Sequence, residues 1–237
     1  MSNTLAIAWK ETKSYFSTPT AYVVGAMYLA LTGVFFVADV TSPFAEASMR
    51  GVIQWSSLFI VFLAPLLTMR LLAEEQKLGT LELLLTSPVR DWEIVAGKYL
   101  AALSTLFVTI SFTLFYVLLL FVFGSPDVGP IASAYVGLLL YGAAALAIGL
   151  MASSLSSNQI VAAVVGIGVL LMLQFIDRVS AIVQGLGSQI LSGLSMSAHF
   201  ADFSRGVYDT SHIVYYLSLS AVFLFLTVRS LETRRWR

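Results

Sequence analysis

The sequence predicts an all-α integral membrane protein with six transmembrane helices, both termini cytoplasmic and an N-terminal interfacial helix. Three observations carry this reading. Only 11% of the 237 residues are charged while 58% are apolar, with mean hydropathy +0.88; a soluble domain averages about 25% charged. Six apolar runs, at 21–38, 52–69, 99–123, 131–151, 159–176 and 213–228, match within a few residues the ~20 needed to cross a bilayer core. None of them contains Asp, Glu, Lys or Arg. The third observation is where the basic residues fall. With the N-terminus inside, the inner segments hold Lys10, Lys13, Arg70, Lys77, Arg90, Lys98, Arg229, Arg234, Arg235 and Arg237, and the outer ones hold Arg50, Arg178 and Arg205. Ten against three orients the chain by the positive-inside rule.

Residues 1–237 thus read as a single six-span domain with an inner loop at 70–98 and an outer loop at 177–212. Cysteine is absent, which excludes disulfides and thiolate metal sites. The formal net charge is zero and points to no nucleic-acid partner.

Ahead of the first span, Leu5, Ala8, Trp9, Thr12, Tyr15 and Phe16 share one ~100° helical stripe, with Lys10, Glu11 and Lys13 off it. The pattern suits a helix on the inner leaflet, Trp9 at headgroup depth and the lysines toward anionic lipid. Such a helix is either a juxtamembrane anchor or part of a docking surface. Pro19 ends it. The first span is longer than a signal-peptide core of about 7–15 residues, and a polar stretch separates it from the small-x-small site Ala45-Glu46-Ala47. It is expected to stay as an anchor. The outer segment at 39–51 is short and polar, with Pro43 as a turn former.

Gly124-Ser125-Pro126-Asp127 makes a tight outer turn, so the third and fourth spans form a hairpin. Ala145, Gly149 and Ser153 recur every four residues, and Ala162 and Gly166 repeat the device in the fifth span. Small-xxx-small seams let helix backbones approach closely in lipid; packing within the chain is the simpler use, a subunit interface the other. The connection at 154–158 turns in the headgroup zone. In the outer loop, Val179, Ile182, Val183, Leu186, Ile190, Leu191 and Leu194 follow helical spacing without a charge between 179 and 198. That helix is expected to lie at the outer interface or re-enter shallowly. Four arginines and Trp236 make the tail a stop-transfer anchor.

Chemistry can be narrowed by what is missing. An ion-coupled transporter needs ionisable groups or unwound backbone near the midplane, and the spans carry no charged side chain; Gln54, Gln159 and Gln174 sit near span ends. Gly193-Leu194-Ser195-Met196-Ser197 imitates a nucleophile elbow, but Ser197 replaces the second glycine and no strand precedes it, so a hydrolase gains little even with His199 nearby. His199 and His212 with scattered carboxylates lack metal-ligand spacing. No phosphate-binding loop occurs, and Gly97-Lys98 is followed by Tyr99. Energy for directed work must therefore come from another polypeptide.

The loop at 70–98 would receive it. This stretch holds nine of the 26 charged residues in 29 positions. The second span's helix should run on to Lys77, carrying Glu74 and Glu75 into water, and Gly79 should stop it in the left-handed conformation. Thr80 then caps a short helix with Glu82 in its first turn. Leu81, Leu83, Leu84 and Leu85 make that helix apolar nearly all round, Ser87-Pro88 ends it, and Asp91 caps the next, which carries Trp92 and Glu93. An apolar helix below the membrane needs a groove to occupy or a lipid surface to lie on.

Glu74-Glu75-x-x-x-Gly79-Thr80-Leu81-Glu82-Leu83-Leu84, then Ser87-Pro88-Val89 and Trp92-Glu93-Ile94-Val95-x-Gly97-Lys98, resembles the loop after the second span of ATP-binding-cassette (ABC) type-2 permeases. Trp9-Lys10-Glu11, Ser14-Tyr15-Phe16-x-x-Pro19-x-Ala21-Tyr22, His199-Phe200-x-Asp202-Phe203-x-Arg205-Gly206-Val207-x-Asp209 and Tyr215-Tyr216-Leu217 are similar to the gliding-motility-associated branch. The resemblance implies an export permease in a bacterial inner membrane, without catalysis of its own. Two permease subunits, identical or homologous, would work with a cytosolic ABC ATPase dimer that binds ATP and Mg; this chain would hold no cofactor. It implies ATPase coupling through Glu74, Glu75, Gly79, Thr80, Leu81, Glu82, Leu83, Leu84, Leu85 and Pro88, aided by the interfacial helix at Leu5, Trp9, Lys10 and Phe16. The segment at Phe200, Phe203, Arg205 and Gly206 would help gate the exit, and a membrane-anchored extracytoplasmic protein often accompanies this branch. Two further readings stand beside it: a machine that transmits ATPase motion to outer partners without moving a solute, and the disfavoured ion-coupled transporter.

Overall fold

Lipid offers no partner to backbone amides, so a chain this apolar must satisfy them within helices. The computed structural model describes residues 3–42, 48–86, 89–180 and 185–235, without the side chains of Leu83, Leu85, Thr86, Leu186 and Arg235. Among the described residues there are eleven helices and no strand. They are α1 (Asn3–Ser17), α2 (Pro19–Val40), α3 (Arg50–Leu78), α4 (Thr80–Thr86), α5 (Asp91–Phe112), α6 (Leu114–Phe123), α7 (Val128–Leu155), α8 (Gln159–Ser180), α9 (Leu186–Leu194), α10 (Met196–Ser204) and α11 (Thr210–Arg235). Six are long and apolar enough to cross a membrane: α2, α3, α5 with α6, α7, α8 and α11. Ala45-Glu46-Ala47, Ile182, Val183, Pro43, Ser87, Pro88, Trp236 and Arg237 fall outside the described residues.

α3 and α7 form the buried centre, and α2, α8 and α11 keep most of their surface open, as lipid-facing helices do. Small residues bring the central pair together. A side chain at Gly149 would strike the Thr68 hydroxyl and the Pro65 backbone of α3, and one at Gly166 of α8 would crowd Pro65. The small-residue seams are therefore used within the chain. Pro65 lacks an N–H and cannot complete the α3 ladder. One to two turns beyond it, the Ser153 hydroxyl meets the same helix, accepting from the Leu72 and Ala73 amides (3.2 and 3.1 Å) and donating to the Met69 carbonyl (2.8 Å). Other hydroxyls in the spans bond their own helix one turn back, as Thr32 does to Tyr28, Thr105 to Ala101 and Thr227 to Phe223.

Four departures from the sequence-level expectation concern where helices begin, end and are capped. The third apolar run is broken at Thr113, whose hydroxyl meets the Ile110 carbonyl and the Tyr135 phenol (2.6 and 2.9 Å). The outer loop carries two short helices, α9 and α10, because Ser195 caps α10 through the Ala198 amide (3.1 Å). Arg90, not Asp91, is the N-cap of α5, and its amide donates to the Glu93 carboxylate (2.9 Å). Thr80 begins α4, but its hydroxyl turns back to the Glu75 carbonyl (3.4 Å).

Candidate functional site

The basic end of the bundle is built where α3 outruns the apolar core. Its helix continues through Glu74, Glu75 and Lys77 and ends at Gly79, whose φ of 70° is left-handed. That conformation costs a glycine almost nothing and other residues roughly 1–2 kcal/mol. The chain then reverses into α4. Leu81 is 4% exposed and seats α4 on the core, and Leu84 packs against the same cluster. Glu82 and Thr80 stay exposed, and Glu74 is half-buried. The side chains of Leu83 and Leu85, and Pro88 altogether, lie outside the described residues.

α1 divides its apolar residues between two directions. Ala8, Thr12 and Tyr15 turn to the protein, while Leu5, Trp9 and Phe16 are exposed beside Lys10. The expected single stripe is thus split. Gly97 of α5 explains the inward half: a Cβ there would approach the Ile7 side chain within 2.7 Å and the Thr4 carbonyl within 3.0 Å, so α1 lies directly on α5. Thr12 meets Ser104 at 3.3 Å, and the Tyr15 phenol donates to the Leu67 carbonyl at 2.6 Å. Burial raises the Tyr15 phenol well above its ordinary pKa, and the Arg70 guanidinium sits 5.0 Å over its ring.

Between α1, α3 and α5 lies a group that residue spacing did not mark as a site. Lys98 is 1% exposed, and its ammonium donates to Glu75 at 2.7 Å and to Glu11 at 3.2 Å. A lysine buried without partners is strongly disfavoured, and removing one partner of such a buried pair costs about 3–5 kcal/mol. Lys98 could have been suspected, since it stands at the mouth of an apolar helix where a cation needs a partner. Which carboxylates it takes, 23 and 87 positions away, no local pattern reveals. Glu75, expected in water, therefore turns inward toward Lys98.

Beside α4, Gln76 and Glu82 share a cleft of about 840 Å³ with Arg229, Ser230, Thr233 and Arg234 at the end of α11. Gln76 holds its rear wall by donating to the Ser154 carbonyl (3.0 Å), which Arg234 also reaches (3.2 Å).

At the opposite end, α10 fills the space between α7 and α11. Phe203 is fully buried and Phe200 nearly so; Gly137 of α7 leaves room for Phe203, because an added Cβ would come within 2.6 Å of it. Phe200 and Tyr141 meet edge to face at 5.7 Å, and Tyr216 donates to the Met196 carbonyl (2.7 Å). Arg205 is exposed with Asp202 at 3.6 Å, and Gly206, at φ 92°, turns the chain against Pro130. His212 contacts Asp202 at 2.8 Å, and His199 stacks on Tyr215 at 3.9 Å. Burial lowers the His199 pKa, the neighbouring His212 adds to that, and the Ser195 carbonyl and Asp202 oppose it. No metal-binding cluster of His, Cys, Asp and Glu occurs among the described residues.

Six membrane-length helices, two of them buried at the centre, with most of the charged residues at one end, define a multi-pass membrane protein. The chain belongs to the ABC-2 transporter family: the family described as "ABC-2 family transporter protein" matches residues 12–199. It is also similar to the "Probable multidrug ABC transporter permease YbhR" of Escherichia coli K12 and of Escherichia coli O157:H7. Both are 30% identical over 141 residues, which are 57% of this chain and 37% of each relative. The chain thus matches little more than a third of those relatives' own length.

Proposed function

We propose that this chain is the membrane permease subunit of an ABC-type exporter, in which a separate cytosolic ATPase dimer hydrolyses MgATP and this chain moves the substrate. The observation that carries the reading is α4, a short helix hung on left-handed Gly79 between the second and third spans, seated by Leu81 and presenting Glu82 to solvent. A short helix that is seated on the core by one side and leaves Glu82 exposed on the other suits a groove on a partner. Membership of the ABC-2 family supports the same assignment. Glu82, Thr80 and the outward face of α4 make the contact, with Leu5, Trp9, Lys10 and Phe16 of α1 beside it. Two permease subunits complete the transporter in a bacterial inner membrane. The basic end and both termini are cytoplasmic, as the ten-to-three placement of basic residues supports. The segment at Phe200, Phe203, Arg205 and Gly206 then stands at the exit, and the chain itself binds no nucleotide. The Trp9-Lys10-Glu11 and His199–Asp209 blocks favour the gliding-motility-associated branch, with an extracytoplasmic accessory protein.

The test is the Glu82→Arg variant, co-expressed with the cognate ATPase. Membrane insertion should be unchanged while transporter-stimulated ATP hydrolysis or ATPase co-purification falls at least fivefold. Full retention of both would reject α4 as the coupling contact.

A further inference from the structure

Lys98 joins three elements that reach the basic end by different routes. α1 is held along its length by α5, through the close approach at Gly97 and the Thr12–Ser104 and Asn3–Glu93 contacts. α3, by contrast, meets α1 through side chains at two levels: Tyr15 on the Leu67 carbonyl under Arg70, and the pair of carboxylates on Lys98. Glu75 stands four residues before Gly79, about 6 Å along the helix axis at 1.5 Å per residue. A displacement of α4 that swings the α3 end about its core must therefore carry Glu75 with it. The ammonium is the only group through which that movement reaches Glu11 directly among the described contacts.

The network is also incompletely satisfied. The second carboxylate oxygen of Glu75 is buried and finds no hydrogen-bond donor among the described residues. Unpaired buried acceptors in a native structure call for a reason, and an element with two arrangements supplies one: a small shift of the α3 end changes which oxygens the ammonium and the neighbouring donors serve.

We propose that Lys98 is a positioning residue for ATPase coupling, a cationic latch that makes α1 and the root of α4 shift together when the partner ATPase moves. The proposal rests on the coupling reading of α4 and adds the residue that transmits it. Lys98 itself lies too deep to touch a partner. Its effect runs through Glu11 and Glu75.

The test uses the full-length chain in lipid nanodiscs and compares three forms. One is the wild type; one is the neutral triad Glu11→Gln, Glu75→Gln, Lys98→Met, which leaves no unpaired charge to unfold it; one is the inverted triad Glu11→Lys, Glu75→Lys, Lys98→Glu, which restores the same two ion pairs with opposite signs. Hydrogen–deuterium exchange of α1 is measured without a partner, and ATP hydrolysis is measured with the ABC ATPase that co-purifies with the wild-type chain. In the neutral triad, α1 exchange should rise at least tenfold and stimulated hydrolysis should fall at least tenfold, while the ATPase binds within twofold of wild type. The inverted triad should recover most of both. Wild-type α1 exchange in the neutral triad, or an inverted triad as impaired as the neutral one, would overturn the latch. If no ATPase is stimulated by the wild type, the coupling reading fails, and the exchange arm still decides whether Lys98 ties α1 to α3.

Discussion

Single side chains here do work that composition alone would not assign to them. Ser153 looks like one more small residue in a seam, yet its hydroxyl serves two amides and a carbonyl of α3 just past Pro65. Ser153→Ala keeps the close packing and removes those three bonds. The expected loss is about 1–3 kcal/mol, visible as a lower thermal midpoint in detergent; an unchanged midpoint would show that helix α3 completes its own ladder there. His199 makes a pH prediction. Its pKa is lowered from 6.5 by burial, so between that lowered value and 6.5 the unfolded chain binds more protons than the folded one. Stability contributed by neutral His199 is therefore present above about pH 6.5 and is lost as pH falls below it. Asp209, lowered from 3.8 by the Ser211 amide and hydroxyl, would lose its contribution only at more acidic pH, so the two windows separate. Proteolysis of the α9–α10 segment should increase from pH 7 to pH 5 and should lose that dependence in His199→Phe.

Among the elements, α4 and α10 are short helices placed by what they rest on. α10 depends on the absence of a side chain at Gly137, where Phe203 enters against α7. Gly137→Val should overpack this contact and cost about 1–3 kcal/mol; a double variant Gly137→Val with Phe203→Ala should recover part of the loss, and additive losses would argue against the contact. α4 depends on the reversal at Gly79. Proline fixes φ near −65°, whereas Gly79 has φ 70°, so Gly79→Pro should misdirect α4 while leaving the spans inserted. Cleavage by a soluble protease between α3 and α5 reads this directly and should accelerate. The glycine signal was legible because it is local: a lone Gly after a charged helix end, followed by Thr and Glu, is a helix stop in any context. The division of α1 was not legible. A helical stripe shows which residues share a face, but not that α5 would claim Ala8, Thr12 and Tyr15 and leave Leu5, Trp9 and Phe16 free.

Over the whole molecule, charge separates the two ends. Nine basic residues among those described stand at the α4 end, on α1, α3, α5, α11 and the approach to α5, while Arg50, Arg178 and Arg205 stand at the other. The inside-positive orientation predicts that cysteines introduced at Glu82 and Gln189, both exposed, react with an impermeant thiol reagent from opposite faces of sealed vesicles. Labelling from the same face would refute the topology.

The amino-acid order alone determined that this is a helical membrane protein with six spans, because hydropathy and helix length are properties of contiguous residues and lipid permits few other solutions. It also marked the stretch at 70–98, since charges flanked by apolar runs stand out in any reading. What only the tertiary structure decided is how that stretch is held: Lys98 between Glu75 and Glu11, Leu81 turned inward, Ser153 bonded to the backbone of another helix. Each of these joins residues whose separation in the chain carries no periodicity. Helices packed side by side can bring together positions that no local pattern relates, and in a low-dielectric interior the buried cation must take whichever carboxylates that packing supplies.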